Sequence, residues 1–220
     1  MRAFAELLDR LSLTASRNAK LVLVRDYLRA TPDPDRGWAL AALTGDLTFD
    51  AAKPAMIRKA VEGRVDSVLF GWSYDYVGDL AETVALIWPA APDWRPNREP
   101  ELSEVVEALR TASRAEVRGL LETWLDALEP KGRWALLKLM TGALRVGLSA
   151  RLAKTAAAMM RPDAAPAPPS PDGREGETAL ETLDASAIEE VWHAVEPPYA
   201  DLFAWLEAVS YTHLTLPTKA

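Results

Sequence analysis

The chain has 220 residues, 49% apolar and 26% charged, enough to bury a core in one ordinary domain or two small ones. It has no cysteine, which excludes disulfides, thiolate metal sites and a cysteine nucleophile, and only two histidines, His193 and His213, which leaves little material for a histidine metal site or a Ser-His-Asp triad. Its net charge of −7 conceals a segregation: Lys131 to Arg161 holds seven bases and no acid, and local field rather than total charge decides whether an anionic partner is attracted.

The periodicity is helical throughout. Phe4, Leu7, Leu8 and Leu11 follow the three-four spacing of an amphipathic helix. A second helix runs from Ser16 or Arg17 to Arg29, with Leu21, Val24, Tyr27 and Leu28 on one side. Thr31-Pro32-Asp33-Pro34 reads as a stop and a fresh start, an Asp or Thr cap followed by proline at the first helical position. That third helix carries Trp38 to Leu43 and ends at Gly45. Pro54–Glu62 and Val65–Trp72 read as two short helices broken by Gly63. Asp79 caps the next helix, with Glu82 placed to reach back. The helix runs to Trp88 and closes at Pro89. Residues 90–100 are a proline-rich loop. Leu102–Leu109 and Ser113–Leu128 follow, the latter opened by a Ser113/Glu116 capping box.

Pro130–Met140 and Ser149–Met160 form a helix pair. Residues 162–177 hold five prolines and two glycines and read as a linker or surface loop. Residues 178–208 supply two further helices, near 185–195 and 199–208. No stretch shows sustained period-two alternation. The expected fold is all-α, with about a dozen helices and a core domain over 1–161. The eight tryptophans fall at helical spacings and are expected in the core. Residues 209–220 abandon the pattern and read as a non-native tail, so the natural chain is expected to continue past about Ala208 toward a further domain. The start, Met1 to Glu6, lacks the basic and apolar regions of a signal peptide, and no apolar run approaches the roughly 20 residues of a membrane helix. A cytoplasmic, membrane-free, monomeric protein is expected.

The segment 131–154 is the most informative. Two helices flank Gly142 and Gly147, and Arg145 sits between the glycines. Glycine-opened amides beside a helix N-terminus near Ser149 make an anion site. The plainer reading is a helical hairpin with glycine caps and a basic solvated face. It is neither a Walker loop nor a dinucleotide-binding fingerprint. Thr14, Ser16, Arg17 and Lys20 gather hydroxyls and bases at another helix start, where capping is the ordinary role. Thr44-Gly45 and Gly78-Asp79 read by default as a helix end and a turn with a cap. The acids near Asp33 and Asp35 match no calcium loop, and no metal site is expected.

The string Thr141-Gly142-Ala143-Leu144-Arg145-Val146-Gly147-Leu148-Ser149 resembles the G-x-L-R-[IVL]-G-[LV] segment of ATP-dependent DNA ligases. Two further strings agree in order, Asp35-Arg36-Gly37-Trp38 through Thr44-Gly45 and Tyr76-Val77-Gly78-Asp79-Leu80-Ala81-Glu82. Together they are similar to the all-helical N-terminal DNA-binding domain of the bacterial branch, over roughly residues 1–208. The resemblance implies a clamp on nicked duplex DNA, gripping phosphates without reading sequence. It implies DNA contacts at Gly142, Arg145, Gly147, Ser149 and Arg151, with Thr14, Ser16, Arg17, Thr44, Gly45 and Gly78 as further contacts. Many relatives carry a base where Ala143 stands.

The family's chemistry begins at a K-x-D-G lysine that takes AMP from ATP. None of the seven lysines here is followed by x-Asp-Gly. The chain is therefore expected to be a ligase fragment without catalytic residues or a cofactor of its own, ATP and Mg²⁺ serving the parent enzyme in DNA repair, replication and recombination. The alternatives are a helical-repeat scaffold that binds a protein partner and no DNA, and a stand-alone DNA-binding accessory protein.

Overall fold

The computed structural model describes residues 1–49, 52–89 and 98–159. Among these there are ten helices and no strand. They are α1 (Arg2–Leu13), α2 (Arg17–Ala30), α3 (Asp35–Thr44), α4 (Pro54–Glu62), α5 (Ser67–Val77), α6 (Leu80–Ile87), α7 (Leu102–Thr111), α8 (Arg114–Ala127), α9 (Pro130–Thr141) and α10 (Ala150–Ala158). The fold is all-α as expected, and each of the ten helices expected within this range is present. The expected linker 162–177, the two helices within 178–208, the tail 209–220, His193 and most of the proline-rich loop lie outside the described residues.

Local chemistry sets most boundaries. Pro54 and Pro130 open α4 and α9, where a missing amide costs nothing. Ser113 accepts from the Glu116 amide while the Glu116 carboxylate takes the Ser113 amide, so the α8 capping box is complete. Asp79 accepts from the Glu82 amide at 3.0 Å and caps α6; among the described residues the Glu82 side chain makes no return bond.

Three expectations are corrected. The cap of α3 is not Asp33 or Thr31: the helix opens at Asp35 after Pro34, with no side-chain cap bond, because the Asp33 carboxylate is taken by Arg36 at 2.7 Å. The helix expected to stop at Trp72 continues to Val77, since Asp66 caps it through the Val68 and Leu69 amides and nothing breaks it before Gly78. Trp72 is also not in the core: it is 73% exposed, whereas Trp38, Trp88 and Trp124 are buried. Apolar residues surround α5 on nearly every side, so spacing alone could not say which face turns inward.

The chain divides into two units. Unit 1 comprises Met1–Asp9 and Thr48–Arg145. Within it α6 packs on α9, α5 on α6 and α4 on α8. Lys131 pairs with Glu6 and Asp9 at 2.9 and 2.8 Å, tying the first turns of α1 to the start of α9. A buried polar knot holds the interior together. The Asp126 carboxylate accepts from Trp88 Nε1 at 2.9 Å and from Arg64 at 3.3 Å, while the buried Arg133 donates to the carbonyls of Leu125 and Trp88.

Unit 2 comprises Arg10–Leu47 and the chain from Val146 onward, as far as it is described. In it α10 packs on α2 and α3. The buried face of α10 is largely Ala153, Ala156, Ala157 and Ala158, small side chains that let helix backbones approach closely.

Candidate nucleic-acid interface

The acid-free segment does not present seven free charges. Lys131 is paired with two carboxylates, Arg133 is buried against carbonyls, and Lys138, also buried, pairs with Asp79 at 2.6 Å. Lys154 is engaged elsewhere in the protein, and Arg161 lies outside the described residues. Arg145 and Arg151 remain. Both are exposed, and among the described residues neither side chain has a hydrogen-bond or ion-pair partner.

In unit 1 the candidate residues are Gly78, Gly142 and Arg145. Gly78 closes α5 and Asp79 opens α6; Lys138, in the last turn of α9, reaches the Asp79 carboxylate. Gly142 closes α9 with a left-handed φ of +67°, its amide and that of Ala143 bonding back to Leu139 and Lys138. One ion pair therefore holds the Gly78 turn against the end of α9. Burial opposes ionisation of Asp79, but Lys138 and the amides of Glu82 and Ala81 outweigh it and hold the carboxyl below its ordinary value. Three residues past Gly142, Arg145 has a φ of +42°, the one positive φ among the described non-glycine residues. A left-handed backbone costs an arginine about 1 kcal/mol or more, and such outliers gather at functional sites.

In unit 2 the candidate residues are Thr14, Ser16, Arg17, Thr44, Gly45, Gly147, Ser149 and Arg151. Ser16 caps α2 by accepting from the Ala19 amide, and Arg17 is the first helical residue, exposed and without a partner among the described residues. Ser149 caps α10 by accepting from the Leu152 amide, and Arg151 lies in its first turn. Neither helix has an acid in that turn. Cations at the positive end of a helix dipole oppose the usual preference, and an anion from outside would offset them.

The two starts are joined by Lys20, which sequence reasoning noted only as a base at a helix start. From α2 it donates to the carbonyls of Val146 (2.6 Å) and Gly147 (3.1 Å), just ahead of Ser149. The signal was available: positions 20, 24 and 28 share one helical face, and Val24 and Leu28 are fully buried. The hydroxyl of Thr14 donates to the Arg10 carbonyl. Thr44 bonds the Leu40 and Ala41 carbonyls and Asp46, and Gly45 closes α3. Thr44 and Gly45 thus close α3, as the default reading of that helix end had it, whereas Thr14 bonds back onto α1 and does not cap the start of α2.

Among the described residues no cluster of three or more His, Asp or Glu side chains could hold a metal ion, and no helix is long and apolar enough to cross a membrane. Residues 1–158 match the family model described as DNA ligase N terminus. None of the curated proteins matches the chain.

Proposed function

The chain belongs to the DNA ligase N-terminal family, and on that premise we propose that it is the DNA-binding part of an ATP-dependent DNA ligase, holding nicked duplex DNA through its phosphates. The observation that carries the reading is Arg145: exposed, unpartnered among the described residues, and held in a strained backbone between two left-handed glycines. Backbone outliers of this kind gather at ligand clamps and other functional sites. The uncapped cations Arg17 and Arg151 at two helix N-termini support it. Phosphate contacts position a protein without reading sequence, which suits an activity that must accept any nick.

In this reading the chain acts as a single copy in the cytoplasm, and the ligase it serves seals nicks in repair, replication and recombination. The adenylation chemistry does not fit the residues present. No lysine is followed by x-Asp-Gly, and the described residues offer no carboxylate cluster for Mg²⁺. ATP and Mg²⁺ belong to the ligase as a whole, and no step runs through this chain's side chains.

The test is fluorescence anisotropy against a nicked duplex over a range of salt. Three bases in phosphate contact predict a log–log slope of about −3, at roughly −0.9 per phosphate, and Arg145→Ala should flatten it by about 1. Binding that ignores salt, or a slope untouched by Arg145→Ala, would overturn the reading. A second reading, a protein-docking scaffold, draws its support from α5, where Val68, Leu69, Trp72 and Tyr76 are all at least half exposed. It is the reading that stands if DNA binding is absent.

A further inference from the structure

Lys20 is 8% exposed, yet its ammonium has no carboxylate within ion-pair distance among the described residues. Its partners are two carbonyls of consecutive residues, Val146 and Gly147. Two successive carbonyls converge on one donor only if the backbone between them turns back, and Gly147 supplies that turn with a φ of +63°. A Cβ on Gly147 would lie 2.6 Å from Lys20 Nζ. The backbone angle calls for glycine here, and a Cβ would push the ammonium, the free end of a flexible side chain, off its two carbonyls. Two residues on, Ser149 caps α10, so the point where the turn is pinned also fixes where that helix begins.

A buried cation solvated by dipoles alone is costly, and a leucine or methionine would fill the same face of α2 more cheaply. We infer that Lys20 is a positioning residue for the phosphate loop: it clamps the Val146–Gly147 turn so that the residues leading into α10 meet DNA already ordered. The inference rests on the DNA-binding reading. Its physical basis is preorganisation, since a loop ordered beforehand does not lose its conformational freedom on binding. Lys20 itself does not reach the phosphate.

The experiment uses the whole chain with Lys20→Met, Gly147→Ala and the double variant. Affinity for a nicked duplex is measured at a temperature where far-UV circular dichroism shows every protein fully folded. A residue that merely stabilises the fold leaves affinity unchanged under those conditions. Lys20→Met is expected to weaken binding about tenfold, as is Gly147→Ala. The double variant should be no worse than either, because both break one clamp. Without DNA, Lys20→Met should speed amide exchange at Val146–Leu152 and leave the buried amides of α3 unchanged. Wild-type affinity in Lys20→Met, or single effects that multiply in the double variant, would overturn the inference. Should Lys20→Met fail to fold, Gly147→Ala carries the same test with the lysine in place. If the unaltered chain binds no DNA, the reading beneath has failed; the exchange data then decide the clamp alone, faster loop exchange supporting it and unchanged exchange refuting it.

Discussion

Reversing the charge at two helix N-termini separates the demands of folding from those of binding. Arg17 and Arg151 sit in the first turns of α2 and α10, exposed and without partners among the described residues, and neither turn holds an acid. Arg17→Glu and Arg151→Glu each remove an unfavourable interaction with the helix dipole and add a favourable one, for about 0.5–1 kcal/mol apiece at low salt. Because α10 packs on α2 the two reversals are read singly, and for a chain of this length each should raise the melting temperature by about 1–4 °C. On the proposed DNA-binding reading, the same reversals should weaken binding to nicked duplex DNA and flatten the salt slope by about 1 each, since each would replace a proposed phosphate contact with a carboxylate. Thermal melting by circular dichroism and anisotropy on the same samples read both effects. A variant that melts lower refutes the dipole reasoning. One that melts higher and binds as before refutes the assignment of that arginine to DNA.

Asp79 joins a cap to an ion pair, and two substitutions separate them. Asparagine caps nearly as well as aspartate, so Asp79→Asn should cost about 1 kcal/mol, the half-exposed pair with Lys138 alone, and Asp79→Ala about 2. Because the folded carboxyl lies below its ordinary value, its contribution is fully present above the unfolded value of about 3.9 and is lost as pH falls through the folded one. Urea unfolding should therefore show the gap between wild type and Asp79→Asn closing below about pH 4; a gap that persists there argues against the pair. At Asp126, which is buried and bound by Trp88 and Arg64, alanine should cost about 2 kcal/mol by stranding the buried indole N–H while Arg64 keeps Glu122, and asparagine distinctly less, since it still accepts from the indole. A loss below about 0.5 kcal/mol for alanine, the range of surface changes, would count against the knot.

The parts of this fold that a sequence shows are those decided within a few residues. Pro54, Pro130, the Ser113/Glu116 box and the glycines after α3 and α9 act on the backbone beside them, and helices begin and end where they stand. The misreadings involve side chains that compete for the same local partner, or faces without contrast. Asp33 is the kind of residue that caps a helix, but Arg36 takes its carboxylate first. Trp72 belongs to a helix with too little polar surface for its spacing to mark an inside. In the candidate site, Gly142, Arg145, Gly147 and Ser149 were legible as a string because their geometry is local. The lysines that hold the string were not, since Lys138 meets a residue 59 positions away and Lys20 one 126 positions away.

The charge count of the basic segment also changes meaning once its partners are known. Seven bases without an acid suggested a broad positive face. Three of them are spent within unit 1, Lys131 as a surface tie and the buried Arg133 and Lys138 as a donor to carbonyls and a partner for Asp79. The electrostatic footprint left to the segment is narrower, and Arg145 and Arg151 carry it. That narrowing makes geometry matter more than charge. A wide basic face tolerates misplacement of any one side chain, whereas a few phosphate contacts bind well only if each is held in place beforehand. The buried lysines then have a reason to be lysines. A long stem ending in several donors can cross a helix interface and fix a turn by its carbonyls or a cap by its carboxylate, which an apolar side chain of the same length cannot do. In unit 1 Lys138 ties the cap of α6 to the end of α9, and in unit 2 Lys20 ties α2 to the turn that precedes α10. On the DNA-binding reading, loss of the Lys20 tie is expected to lower affinity at a temperature where the fold is still intact.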